Sequence, residues 1–454
     1  MANTSELAVC GVNDHEDEGN EFMTVNKVAK KDRHKICYKC RDINQKLIIL
    51  FRNEAYCKTC YIDLIRKKFK PNLAKCRDAS RPSRESENVV IALSGGTSSN
   101  VMLELIYQNT TNAQKSKLFF KGNCVYIDES SIYPNLKKDD IEVYLKKQCN
   151  LYGYPLTIIP LENIFGDNPE NREHRVKMLK ESVESFSSQT SREDISIFYR
   201  EQLLRKCALE LKAKRVIFGT SSVSLATKVF SLASKGRGFT LPNEVSISNQ
   251  TEVGGDSIIF NQPMKEFILK EIYIYSRNVI GDLPTQFSSW NAPAKQSLNT
   301  LCEDFVHTLQ DISSQTVYTL LRSADKLVTP TLDNNFYCSL CYCHLSTHDI
   351  NHINSIKNVK STNSNNNNNN NNCCSDNSSC STTSTTNNSC CSTNNNNNQL
   401  SNDTLCYSCR ILVKENRNPN LVLPKYIYEN SKSILTTAQL KNEIKDFLLD
   451  DNDD

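Results

Sequence analysis

No apolar run in this 454-residue chain approaches the ~20 residues that a membrane span needs, so a helical membrane protein is excluded. The first 26 residues carry Glu6, Asp14, Glu16, Asp17, Glu18 and Glu21 and neither Lys nor Arg. They lack the basic and apolar pattern of an export signal, so secretion is not expected and a cytoplasmic location is. Without export, the twenty cysteines read as metal sites rather than as a disulfide framework. Hydrophobic residues make up only 38% of the chain, low enough that part of it is not expected to fold. The length still allows two or three units with a sizeable core.

Net charge is only +3, yet residues 27–84 hold 18 Lys and Arg against 5 Asp and Glu. A basic segment so concentrated suggests a polyanion partner; a solvated basic face is the plainer alternative. Within it lie Cys37-Tyr38-Lys39-Cys40 and Cys57-Lys58-Thr59-Cys60, separated by sixteen residues. That spacing suits a zinc ribbon, with Leu47–Phe51 as a short strand between the two turns and four thiolates about 2.3 Å from the ion. The same ligand set also suits an iron–sulfur cluster. Residues 61–69 then read as a short amphipathic helix with a basic end. Lys67, Lys68, Lys70, Lys75 and Arg77 are the candidates for phosphate contacts. A Ser/Arg-rich run with Pro82, residues 80–86, reads as a linker.

Five apolar residues, Val89 to Leu93, predict a buried parallel strand. Ser94, Gly95 and Gly96 predict a tight turn, and Thr97, Ser98 and Ser99 cap the apolar run that starts at Val101. Strand, glycine turn and helix start together make an anion site, although an ordinary strand-to-helix turn has the same pattern. Strands and helices then alternate. Helices are expected over 99–108, 139–152, 171–187 and 196–212, from 223 through Ala233, and over Lys265–Asn278. Strands are expected near 118–127, at 155–160, at Val216–Gly219 and at Ile258–Phe260. The fold class is therefore α/β with a parallel sheet wound by right-handed crossovers. Ser94–Ser99 and Gly219–Ser222 both fall at the carboxyl ends of its strands, where ligands bind.

Residues 293–328 predict one or two further helices. Cys338-Ser339-Leu340-Cys341 and Cys406-Tyr407-Ser408-Cys409 are expected to form a second zinc site, with Cys343 or His344 as substitutes for one ligand. Between them an Asn/Ser/Thr-rich tract, about 357–402, cannot bury enough apolar surface to order itself. Its cysteines, Cys373, Cys374, Cys380, Cys390 and Cys391, receive no role. A long loop adds little closure entropy, because that term grows only logarithmically. A helix around Thr437–Leu449 and an acidic end complete the chain.

Two resemblances rest on these residues. Ser94-Gly95-Gly96-Thr97-Ser98-Ser99 resembles the Ser-Gly-Gly-x-Asp-Ser turn of the PP-loop ATP pyrophosphatases (the adenine nucleotide α-hydrolase-like fold), with Ser98 at the acidic position. The order of parts resembles the cytoplasmic tRNA 2-thiolation protein 2 family. So do Val125-Tyr126-Ile127-Asp128-Glu129, Gly236-Arg237-Gly238, Pro263-Met264-Lys265, Ser323-Ala324-Asp325-Lys326-Leu327, Cys406-Tyr407-Ser408-Cys409-Arg410 and Asp446–Asp451. The organisation then expected is an acidic leader (1–32), a basic zinc ribbon (33–80) and a degenerate PP-loop domain (87–330). A split C-terminal zinc module (331–356 and 403–430) encloses the disordered insert (357–402), and a helix with an acidic tail (431–454) follows.

The second resemblance implies a part in making 2-thiouridine at wobble U34 of tRNA Lys, Gln and Glu. It implies tRNA, a catalytic paralogue of the cytoplasmic tRNA 2-thiolation protein 1 family and a thiocarboxylated ubiquitin-related modifier as partners, with no membrane. In that chemistry ATP adenylates the uridine at C2 and sulfur displaces AMP. Catalytic relatives carry the acidic residue at position 98 and an Asp-containing turn where this chain has Gly219-Thr220-Ser221-Ser222. They also carry a Cys-x-x-Cys before the helix expected at 196–212 and a further cysteine beyond it. Here residues 190–206 and 208–301 contain no cysteine, and Cys207 reads as a buried small hydrophobe. A non-catalytic partner is therefore expected, with no catalytic residues; an active ATP-dependent tRNA thiotransferase and a purely structural zinc-ribbon RNA-binding scaffold are the alternatives. Two zinc ions are expected at Cys37, Cys40, Cys57, Cys60 and at Cys338, Cys341, Cys406, Cys409. Whether ATP still occupies Ser94, Gly95, Gly96, Thr97, Ser98 and Ser99 is left open.

Overall fold

Short apolar runs and Gly turns between amphipathic stretches produce mixed α/β architecture in the computed structural model. It describes residues 36–42, 46–49, 54–77, 86–111, 120–134, 136, 138–253, 256–281, 296–327, 336–345, 404–418 and 421–444. The expected leader, most of the expected linker, the Asn/Ser/Thr tract and the acidic end lie outside the described residues. The chain divides into two compact units, Met1–Leu64 and Ile65–Asp454.

In the first unit, β1 (Leu47–Ile49) pairs antiparallel with β2 (Ala55–Cys57), Leu47 opposite Cys57 and Ile49 opposite Ala55. Helix α1 (Lys58–Lys75) starts directly after Cys57, and the division between the units falls within it.

In the second unit, Ile65, Phe69 and Leu73 recur every fourth residue and form the buried stripe of α1. Phe69 meets Phe267 edge-on at 6.2 Å between ring centres. The main sheet is built from β3 (Glu87–Leu93), β4 (Phe120–Asp128), β5 (Leu156–Pro160), β6 (Arg215–Phe218), β7 (Ser248–Val253) and β8 (Asp256–Asn261). Its strand order is β5-β4-β3-β6-β8-β7. All neighbours run parallel except β7, which pairs antiparallel with β8 at the edge. The parallel sheet expected from the alternation is present; the antiparallel edge strand was not anticipated.

The crossovers are α2 (Thr97–Thr111), α3 (Lys138–Tyr152), α4 (Arg172–Glu184) with α5 (Gln189–Glu210), and α6 (Ser222–Ser234) with the short α7 (Leu241–Val245). After the sheet come α8 (Leu269–Val279), α9 (Leu298–Ile312), α10 (Ser314–Asp325), α11 (Tyr407–Lys414) and α12 (Lys425–Ile444). Several boundaries differ from the sequence reading, among them two helix starts. Helix α5 begins at Gln189 rather than near 196, because Ser188 Oγ accepts the Ser191 N–H at 3.1 Å and caps it. The segment expected as one or two helices is two, split where Ser313 adopts extended backbone. Helix α12 begins at Lys425, anchored by fully buried Ile427.

One core cluster joins the sheet to α5 and the C-terminal segment: Val90, Val125, Leu203 and Val216 pack with Cys338, Leu340, Cys406 and Cys409. The C-terminal segment also clasps the start of α5. Glu415 Oε2 accepts from Ser188 Oγ at 2.8 Å and from Ser191 Oγ at 2.6 Å.

Candidate metal centres and anion turn

Four sulfurs in each unit come together. Cys37, Cys40, Cys57 and Cys60 Sγ lie within 4.8 Å of one another, and so do those of Cys338, Cys341, Cys406 and Cys409. A tetrahedral ion with 2.3 Å bonds to sulfur separates its ligands by about 3.8 Å. Cys40 Sγ stands 3.7 Å from Cys57 Sγ, and Cys341 Sγ 3.8 Å from Cys406 Sγ. The donor sets therefore fit a tetrahedral thiolate-bound metal.

The two centres are built the same way, bond for bond. The N–H of Cys37 donates to the carbonyl of Asp42 at 3.1 Å, and that of Cys338 to Cys343 at 2.8 Å. Arg41 N–H closes on Cys37 O at 2.9 Å, and Tyr342 N–H on Cys338 O at 2.9 Å. Both Arg41 and Tyr342 take left-handed backbone, φ 62° and 58°. Tyr38 N–H reaches Ala55 O at 2.7 Å, and Ser339 N–H reaches Thr404 O at 3.0 Å. Cys57 N–H donates to Cys37 Sγ, and Cys406 N–H to Cys338 Sγ, each at 3.3 Å. A helix starts inside each second Cys-x-x-Cys, directly after its first cysteine: α1 after Cys57 and α11 after Cys406.

Their surroundings differ. Cys40 is exposed, whereas all four C-terminal sulfurs are buried. Burial opposes a charge on Cys37, but N–H groups of Cys40, Cys57 and Lys39 aimed at its sulfur hold the thiol down to about 6. Lys39 pairs with Asp63 at 3.1 Å. In the C-terminal centre, Arg237 Nη2 donates to Cys409 Sγ at 3.1 Å. A fifth thiol, Cys343, is buried beside Cys341. His344 is not in the tight set; its ring lies 4.4 Å from that of Tyr337.

The strand order reverses between β3 and β6, which opens a crevice at their carboxyl ends. Ser94–Ser99 and Gly219 meet there. Gly95 has φ 77°, and Ser99 Oγ donates to Gly96 O at 2.9 Å. Asn100 Nδ2 donates to the carbonyls of Gly95 and Gly96 at 2.9 and 3.0 Å. These bonds tie the turn's carbonyls to the helix, while the first N–H groups of α2 have no carbonyl one turn back to bond. A Cβ on Gly219 would lie 2.8 Å from Ser99 Cα and 2.9 Å from Ser99 N, so the end of β6 touches the start of α2. Ser98 at the acidic position is half-buried.

At the neighbouring end of β4, Asp128 and Glu129 are buried and each faces a cation. Lys138 Nζ is 2.8 Å from Asp128 Oδ2, and Arg200 Nε contacts Glu129 Oε1. Cys207 is buried on α5, and burial pushes its thiol up to about 11, the state of a packing residue.

Of the basic candidates, Lys67, Lys70 and Lys75 are exposed on α1, and Arg77 is half-buried. Lys68 is differently placed: its Nζ bonds both Glu271 oxygens, at 2.9 and 2.8 Å, and sits 4.7 Å from the Phe267 ring centre. Arg237, Lys138 and Arg200 were not singled out as partners of a site, and Cys343 was singled out only as a substitute ligand. For Arg237 a signal was present, its setting in Gly236-Arg237-Gly238.

Residues 297–411 match the family Cytoplasmic tRNA 2-thiolation protein 2. The Cytoplasmic tRNA 2-thiolation protein 2 of Dictyostelium discoideum is 47% identical over 434 residues, covering 89% of this chain and 82% of the relative. The chain belongs to the cytoplasmic tRNA 2-thiolation protein 2 family. The protein of that name from Danio rerio is 25% identical over 94% of this chain and 97% of its own length. Among solved structures, the U34-tRNA thiolase NcsA from Methanococcus maripaludis with its [4Fe-4S] cluster aligns at 17% identity and TM-score 0.49. The alignment covers 66% of this chain and 92% of that one. The region matching the cytoplasmic tRNA 2-thiolation protein 2 family takes in α9, α10 and all four C-terminal ligand candidates. Among the described residues no helix is long and apolar enough to cross a membrane.

Proposed function

We propose that this chain is the non-catalytic subunit of a cytoplasmic complex that thiolates tRNA at wobble U34, acting on tRNA Lys, Gln and Glu. The observation that carries the reading is family membership together with a PP-loop-like turn that keeps its glycines and has Ser98 at the acidic position. Adenylating a uridine builds negative charge on phosphates and needs cationic or metal compensation. The carboxylates at the end of the neighbouring strand β4, Asp128 and Glu129, are already paired with Lys138 and Arg200. The partners are tRNA, a catalytic paralogue of the cytoplasmic tRNA 2-thiolation protein 1 family in a heterodimer, and a thiocarboxylated ubiquitin-related modifier that delivers sulfur.

Zinc is the ion assigned to both four-cysteine centres, the first as a zinc ribbon and the second as a split knuckle pair. Closed sets of four thiolates with no open position suit a structural role. The exposed Lys67, Lys70 and Lys75, with Arg77, supply the tRNA-facing charge, and Lys68 contributes from its ion pair.

The test is ATP-dependent thiolation of a wobble-uridine tRNA by this chain alone, the paralogue alone and the mixture. Activity is expected in the mixture only, and to survive Ser94→Ala with Gly96→Ala here. Activity from this chain alone that the double substitution abolishes would overturn the proposal.

A further inference from the structure

The C-terminal centre holds five thiols, one more than a tetrahedral ion takes. Cys343 is 6% exposed, and its sulfur lies 3.3 Å from Cys341 Sγ. Its carbonyl accepts the Cys338 N–H at 2.8 Å, and Cys341 Sγ in turn lies 3.8 Å from Cys406 Sγ. Cys341 and Cys338 therefore touch it directly, and Cys406 stands one sulfur further on. The fourth, Cys409, is distinguished by Arg237, which donates to its sulfur at 3.1 Å. Arg237 is itself buried, with its guanidinium 5.0 Å from the ring centre of Phe198. A charged N–H donor draws electron density from a thiolate and makes it a weaker metal ligand, while stabilising it as a free anion.

We propose that Cys343 is a reserve ligand: a zinc ion in this centre keeps Cys338, Cys341 and Cys406 and can exchange Cys409 for Cys343, with Arg237 holding the displaced thiolate. The exchange breaks one zinc–sulfur bond and forms another. The Cys343 proton goes to the buffer, and no electron moves. This rests on the zinc assignment above. The N-terminal centre is the internal comparison. Its residue at the place of Cys343, five after the first cysteine, is Asp42, and among the described residues its thiols number four.

The experiment is zinc per folded full-length chain by elemental analysis. Wild type, Cys343→Ser and Cys409→Ser are expected to keep the two ions that the two centres take. Cys343→Ser with Cys409→Ser is expected to keep one, as is Cys60→Ser in the centre without a spare thiol. A Cys409→Ser chain that fails to fold or to hold its second ion overturns the proposal, and so does a double variant that keeps both. Wild type without zinc would instead overturn the metal assignment. A second measurement uses Cys343→Ser with Cys409 intact. Without the reserve sulfur, the C-terminal ion should pass to a chelator about tenfold faster, the lower end of what lost neighbours of a metal site cost. An unchanged rate also refutes the proposal.

Discussion

Gly219 is where the anion turn can be tested without touching a candidate ligand group. Its substitution by Ala would put a Cβ 2.8 Å from Ser99 Cα, 2.9 Å from Ser99 N and 3.1 Å from Ser98 C. All three are backbone atoms, so no side chain can swing aside. Either the end of β6 moves back or the first turn of α2 is pushed out. Forcing an extra carbon into close packing destabilises by about 1–3 kcal/mol. In a unit of this size that lowers the melting temperature by roughly 2–10 °C. Gly238→Ala is the control: a Cβ there has no neighbour within 4 Å, and its φ lies outside the left-handed range. It should melt within about 1–2 °C of wild type. Gly96→Ala adds a Cβ 3.4 Å from Ser94 Oγ, an ordinary contact, and should also fold normally. Differential scanning calorimetry on the three variants decides the matter. If Gly219→Ala melts with the Gly238→Ala control, the close approach does not pin α2 and the geometry argued for the turn is wrong.

Two other perturbations follow from the description. Neutralising Lys67, Lys70 and Lys75 together should flatten the salt dependence of tRNA binding by roughly 2–3 logarithmic units of slope, with little change in melting. Lys68→Gln should in addition lower the melting temperature by about 2–4 °C because Glu271 loses its ion pair; an unmoved slope in the first variant would leave α1 as a solvated face. Cys207, its thiol raised to about 11 by burial, holds roughly one thiolate in ten thousand at pH 7. Iodoacetamide should therefore label it in denaturant but not in the native chain, with labelling rising as pH climbs toward that value. Rapid native labelling at pH 7 would make it a reactive group.

The parts of the fold legible in the sequence were those with a local signal. Val89–Leu93 and Val216–Phe218 are uninterrupted apolar runs, and both form central strands. Strand β7 (Ser-Asn-Gln-Thr-Glu-Val) escaped because it is polar; what makes it a strand is its antiparallel ladder with β8. The start of α5 escaped because apolar spacing begins a turn or more after the Ser188 cap. In the candidate site, cysteine spacing proposed Cys338, Cys341, Cys406 and Cys409 but left Cys343 as a substitute, and only three-dimensional placement separates the tight four from the fifth. Arg237 reaches Cys409 across 172 positions of sequence, and Lys68 reaches Glu271 across 203. No local pattern encodes such a distance.

The C-terminal cysteines share one core with Val90, Val125 and Val216, and this has a consequence for how the chain is made. A ribosome releases a protein from its N-terminus at roughly 5–20 residues per second, and folding units generally complete in that order. Here Val90 must wait for Cys406, Cys409 and Leu412, more than three hundred residues later in synthesis. A nascent chain stopped short of them would carry a sheet with one side of its core missing, exposing apolar surface to chaperones and proteases. The segment that carries Cys406, Cys409 and Leu412 is thus a checkpoint on the whole α/β unit.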